Sequence, residues 1–140
     1  MTGVEDLQQL LAGMEPELHD GEFVFCTVAS GNIADLARLD PLGMFREAEG
    51  LTLILRREAA EQEGLAGAAP MRMITLTVHS SLEAVGLTAA FSARLAREGI
   101  GANVVAAFHH DHIFVPAADA DKALAALKDL QRESAETPRE

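Results

Sequence analysis

The sequence predicts an α+β fold of two tandem βαββα units, each an antiparallel sheet with helices on one face. Three observations predict it. Apolar residues alternate over 71–78, the period of a half-buried strand. Leu87, Phe91 and Leu95 recur every four residues, the period of an amphipathic helix. The order strand, helix, strand, tight turn, strand, helix occurs twice, shortened over residues 22–63 and in full over 71–131.

The elements follow in chain order. Val4, Leu7, Leu11 and Met14 form one helical stripe, with Thr2 and Glu5 at capping-box spacing. Gly13 and Pro16 end that helix. Residues 22–29 are rich in β-formers. One or two helical turns fit before Asp40-Pro41, which stops them. Residues 42–48 and 51–56 form a hairpin around Glu49-Gly50, with Gly50 at a position expected to take positive φ. Residues 57–62 have helix-forming composition, and the Gly- and Ala-rich stretch 64–70 reads as an internal boundary.

In the second repeat, residues 71–78 place Ile74, Leu76 and Val78 on one face and Met73, Thr75 and Thr77 on the other. A helix over 84–98 is closed by Gly99 and Gly101. Residues 103–108 and 112–115 are strands around a turn at His109, His110 and Asp111. Asp119 caps a last helix whose apolar face is Ala123, Leu124, Leu127 and Leu130. The expected organisation is residues 1–66 as an N-terminal helix plus a truncated unit, and 71–131 as a full unit. The charged segment 132–140 is expected to be a disordered tail. This is the ferredoxin-like split order without its fourth strand. The open edge calls for a strand from the other half or from a second chain.

Composition narrows function. The chain has 140 residues, enough to bury roughly 68% of its unfolded surface without disulfides or metal. Twenty-two acids against 11 bases give a net charge of -11, and no Lys or Arg precedes Arg38. A phosphate backbone and an anionic membrane are therefore repelled. With no Trp, no Tyr and six Phe, a base-stacking surface is not expected. Cys26 is the single cysteine and sits in an apolar run, where a thiol acts as a small buried hydrophobe. No apolar run reaches membrane-spanning length, and the N-terminus resembles neither a signal nor a transit peptide, so the chain is expected to be cytoplasmic.

The stretches Ser80 to Ala89, Gly99 to Ala106 and His110 to Pro116, together with Phe45 to Leu55, resemble the ACT-domain superfamily of small-ligand regulatory modules. More narrowly they resemble the small stand-alone tandem ACT-like proteins of bacteria. The similarity spans about residues 5–130. It implies that small ligands, often amino acids, bind where a glycine opens the first helix, near an interface between two domains. Gly86 matches that glycine. Glu83-Ala-Val replaces the acidic residue and proline often found before it.

The implied ligand-binding residues are Ser81, Leu82, Glu83, Val85, Gly86, Leu87 and Asn103. Elementary physics makes such a place receptive. A helix N-terminus has unpaired N–H groups and roughly half a positive charge, so a carboxylate can dock there. Gly86 has no Cβ to hold a ligand away. Ser80 or Ser81 offers a hydroxyl, and Asn103 offers donor and acceptor together. Packing explains the same residues: Ser80 and Glu83 have capping-box spacing, Gly86 suits tight helix–sheet contact, and Asn103 follows a turn.

His109, His110 and His112 flank Asp111 and suggest a metal, since His110 and His112 share a strand face. A third ligand would have to come from His79, and a polar hairpin tip is the plainer reading. No metal or other cofactor is assigned. No triad, phosphate loop or acid pair is legible, so the chain reads as non-catalytic. The expected partners are a small-molecule ligand, with amino acids foremost, and a second copy joined through sheet or helix faces.

Overall fold

The structure is a computed structural model that describes residues 3–29, 33–65, 67, 69–77 and 86–136, with side chains from residue 7 onward. In chain order the elements are α1 (Gly3–Ala12), β1 (Pro16–Leu18), β2 (Phe23–Val28), α2 (Ile33–Leu36) with a 3-10 turn (Ala37–Leu39), β3 (Gly43–Glu47), β4 (Gly50–Arg56), α3 (Arg57–Gln62), β5 (Met71–Leu76), α4 (Leu87–Arg97), β6 (Asn103–Ala106), β7 (Asp111–Pro116), a second 3-10 turn (Ala117–Asp119) and α5 (Ala120–Glu136). Thr2, the proposed cap of α1, lies outside the described residues.

The chain packs as two compact units, one from residues 1–19 and 72–140, the other from 20–71. The N-terminal helix, expected with the first repeat, thus packs with the second.

In the first of these units the strand order is β1-β5-β7-β6. Strand β1 runs antiparallel to β5, with Pro16 opposite Leu76 and Leu18 opposite Ile74. This is the missing fourth strand of the second repeat. It comes from residues 16–18, within the N-terminal half as the sequence divides it. Proline is tolerated because it opens an edge strand, where its lost N–H needs no partner.

One face of this sheet carries Ile74, Leu76, Ile113 and Val115. They join Met14, Phe91, Leu95, Ala123 and Leu127 in a core of fully buried side chains. Phe91 lies between Leu87 and Leu95 on the buried stripe of α4. Strand β5 is not half-buried as its alternation suggests, since Met73 and Thr75 are buried as well. A threonine tolerates that position because its hydroxyl is hydrogen-bonded on two sides, as described below.

Helix α5 continues to Glu136, so residues 132–136, expected as tail, are helical. Arg132 pairs with Asp129 at 3.0 Å. Arg94 of α4 forks onto both carboxylate oxygens of Glu133 at 2.9 and 2.7 Å. Gln8 of α1 donates to the Ser134 carbonyl at 3.1 Å. Charge made this segment look like a solvated tail, but Glu133 is paired across helices and Arg132 within its own.

The unit from residues 20–71 has the order β3-β4-β2. Two pairings to β2 add a fourth strand position: Phe23 opposite Met71, and Cys26 bridged to Gly67. Val24, Cys26, Leu53, Leu55 and Ala60 form its core. Glu47 pairs with Gly50, so the tight turn is Ala48-Glu49 and Gly50 opens β4. The first helix of this repeat is indeed short, four residues plus the 3-10 turn. Burial pushes the Cys26 thiol above its ordinary pKa, which suits a core residue and not a nucleophile.

Among the described residues no helix is long and apolar enough to cross a membrane.

Candidate functional site

Gly86 stands where expected, immediately before α4. It adopts φ 95° and ψ −18°, the left-handed region, which an L side chain enters at a cost. Its carbonyl accepts the Ala90 N–H at 2.9 Å, the first helical bond. Among the described residues no side-chain hydrogen bond caps the helix. The first-turn amides therefore point outward along the helix axis with their partial positive charge.

The glycine also serves packing. A Cβ placed on Gly86 would lie 3.1 Å from Cδ2 of Leu7, so α1 approaches the start of α4 from the side. That contact fills the space lateral to Gly86. Helix amides are aimed along the axis, a different direction. Leu87 is buried in the core, so its side chain faces inward and only its backbone is placed to meet a ligand. His79, Ser80, Ser81, Leu82, Glu83 and Val85 lie outside the described residues.

Asn103 is exposed and opens β6, opposite Phe114. It is not beside Gly86 within one chain. Helix α4 has 11 residues and rises about 16 Å, and Asn103 follows its far end. The hydrogen bond between Thr75 and His112 at 2.8 Å fixes the same conclusion. The end of β5 that leads towards α4 lies level with the β6–β7 turn, whereas Asn103 starts β6 at the opposite end.

The histidine-rich segment resolves differently from its sequence reading. Strand β7 starts at Asp111, and the turn is Ala107 to His110, closed by Ala107 N–H donating to the His110 carbonyl at 3.0 Å. Phe108 is exposed and meets the His109 ring edge-on, with centroids 5.1 Å apart. No three His, Cys, Asp or Glu side chains converge on a metal-sized site among the described residues.

His112 instead turns Nδ1 towards Thr75 Oγ1, 2.8 Å away. His19 Nε2 reaches the same hydroxyl from the end of β1 at 2.7 Å. Burial first, then the charges of His110 and His19, hold the His112 pKa below its ordinary value, with Asp111 opposing. Burial raises the Asp111 carboxyl, with His112 and His110 opposing. Sequence reading missed this bridge because its members are 56 and 37 residues apart. An isolated His19 after a three-residue strand carried no periodic signal.

Comparison with known proteins supplies the family. Two ACT-domain models match in tandem, over residues 2–72 and 68–129. A solved Vibrio cholerae protein of unknown function, described as a possible transport protein, is 52% identical, with a TM-score of 0.85. The match covers 93% of this chain and 99% of that one. An Agrobacterium tumefaciens protein is 21% identical over 83% of this chain and 87% of that chain, with a TM-score of 0.69. The regulatory subunit of aspartate kinase from Thermus thermophilus shares the fold at 12% identity and a TM-score of 0.61, covering 82% of this chain and 95% of its own. No curated protein matches. With the split ferredoxin-like order present in each unit and the helix-opening glycine in place, the chain belongs to the ACT-domain family, as a tandem of two such domains.

Proposed function

We propose that this is a non-catalytic regulatory protein that binds a small carboxylate metabolite, an amino acid first among the candidates. The site is the start of α4, with Gly86, the backbone of Leu87 and the preceding Ser81, Leu82, Glu83 and Val85. Asn103 joins it from a second copy of the chain. The observation that carries this reading is a helix of 11 residues that starts on a left-handed glycine, in a chain of the ACT family. The distance between Gly86 and Asn103 along α4 is what favours two chains in one site. Ligand binding then shifts the population of paired arrangements, the usual physical form of such regulation. The cytoplasm is the compartment that suits a reduced lone cysteine and a metabolite ligand.

A panel of the twenty amino acids and small carboxylates tests this by thermal shift. At a hundredfold its dissociation constant, a ligand stabilises by roughly 2.7 kcal/mol, or roughly 8 °C for a chain of this size. Asn103→Ala should abolish the shift and leave the ligand-free melting temperature unchanged. Gly86→Ala should lower ligand-free stability by about 1–2 kcal/mol, from its φ and the Leu7 contact. A flat panel on the folded wild-type chain rejects the ligand reading.

One observation favours a second reading, an assembly module without ligand. Strand β3 pairs only with β4 among the described strands, and it carries Met44 43% and Phe45 70% exposed. An open edge with apolar side chains is a pairing surface for another copy. A flat panel with a dimer in solution selects that reading.

A further inference from the structure

Thr75 is the one buried polar residue among the described residues, 5% exposed, and it holds two imidazoles from two other parts of its unit. Its hydroxyl has a single proton. It can donate to one ring nitrogen and must accept from the N–H of the other ring. Two neutral rings satisfy this, and so does one neutral with one charged. Two charged rings do not: both then donate, the threonine O–H loses its acceptor in a buried position, and like charges meet on one oxygen. The bridge joins three segments, with His19 just after β1, Thr75 near the end of β5 and His112 near the start of β7.

Strand β1 is short, although Leu18 packs against the core and Thr77 Oγ1 donates to the Glu15 carbonyl just before it at 3.0 Å. It has three residues and pairs with β5 alone, with His19 N–H to the Met73 carbonyl at 3.0 Å just beyond it. Arg72 donates to the His19 carbonyl at 2.8 Å. We propose that the His19–Thr75–His112 bridge is an acid-sensitive latch that fastens β1 to the sheet of its unit, closed with at least one ring neutral and released when both are charged.

The charged and titratable groups around the latch come from every strand packed on it. From β1 these are His19 and Glu17, the latter paired directly opposite Thr75. Strand β5 adds Arg72. Strand β7 and its turn add His110, Asp111 and His112. The positive members outweigh Asp111 at His112, whose pKa is depressed by burial first and then by His110 and His19. A depressed histidine binds fewer protons in the folded chain than in the unfolded one. Its contribution to stability is therefore complete above the unfolded value, about 6.5, and is lost as pH falls from there through the folded value.

Two measurements on the full chain test the latch. Imidazole NMR should show His112 neutral at pH 6.5, with one ring N–H, and titrating below the same residue in the urea-unfolded chain. Hydrogen exchange should show the amides of His19 and Thr77 losing protection selectively as pH falls below about 6.5, while those of α4 keep theirs. His112→Asn keeps an acceptor at the Nδ1 position and cannot charge, so its β1 protection should stay constant over that range. His19→Gln makes the same substitution at the other end and should flatten the profile as well. A His112 midpoint at or above the unfolded value, or selective loss that persists in both variants, overturns the latch. The test involves neither Gly86 nor Asn103, so its outcome is independent of the proposed ligand site.

Discussion

Phe91→Ala is expected to remove about 3–5 kcal/mol of stability. The ring is fully buried, at 0% exposure, in the core that α4 shares with β5, β7, α1 and α5. Truncation withdraws its apolar surface from burial and leaves a cavity between elements that cannot close over it without moving three helices. Against a total of roughly 5–15 kcal/mol for a domain, the loss approaches unfolding. Urea titration reads it as a lower midpoint with an unchanged slope. Phe45→Ala supplies the contrast in the same assay. Its ring is 70% exposed, and the change should stay within about 0.5 kcal/mol. Equal losses from the two would mean that Phe91 is not the centre of that core.

Gly50→Ala is expected to destabilise by about 2–4 kcal/mol, although only one methyl is added. A Cβ there would stand 2.6 Å from the Val28 carbonyl oxygen and 3.1 Å from Thr27 Oγ1, at φ 154°. The carbonyl belongs to β2, whose Val28 pairs with Leu51 directly beside the glycine. Relief therefore requires the β2–β4 ladder to open at that end. Gly43→Ala is the matched control, because its Cβ meets only the flexible tip of Ile54 at 3.2 Å. That side chain can rotate away, and the cost should stay below about 1 kcal/mol. Similar losses at both positions would show that the Val28 approach does not constrain the hairpin.

Much of the fold was legible because the informative stretches were long and periodic. The Leu87, Phe91, Leu95 stripe named the buried face of α4, and the hairpin glycine located the β3–β4 turn to within a residue. Strand β1 was not legible, since three residues beginning with proline show neither alternation nor β-rich composition. The end of α5 was obscured by its charge, because a sequence does not say that Glu133 meets Arg94 from another helix. Thr75 looked like the wet side of a half-buried strand. Only the two distant imidazoles make its burial tolerable. At the candidate site, Gly86 was legible from its place before an apolar helix. The separation of Asn103 from it was not, because neighbours in a motif need not be neighbours across a sheet. The Leu7 contact was likewise invisible, being a packing of α1 onto α4 from 79 residues away in sequence.

The central claim is that a metabolite is held by α4 of one chain and Asn103 of another. Complementation tests it most directly. Gly86→Trp and Asn103→Ala chains are refolded together in equal amounts, and calorimetry measures binding of whichever amino acid stabilises the wild-type chain most. Each variant alone should bind none. The mixture should regain about a quarter of the wild-type sites, because random pairing makes half the dimers mixed and each mixed dimer holds one intact site of two. A mixture as inactive as its parents, or full binding by either variant alone, contradicts a site shared between chains.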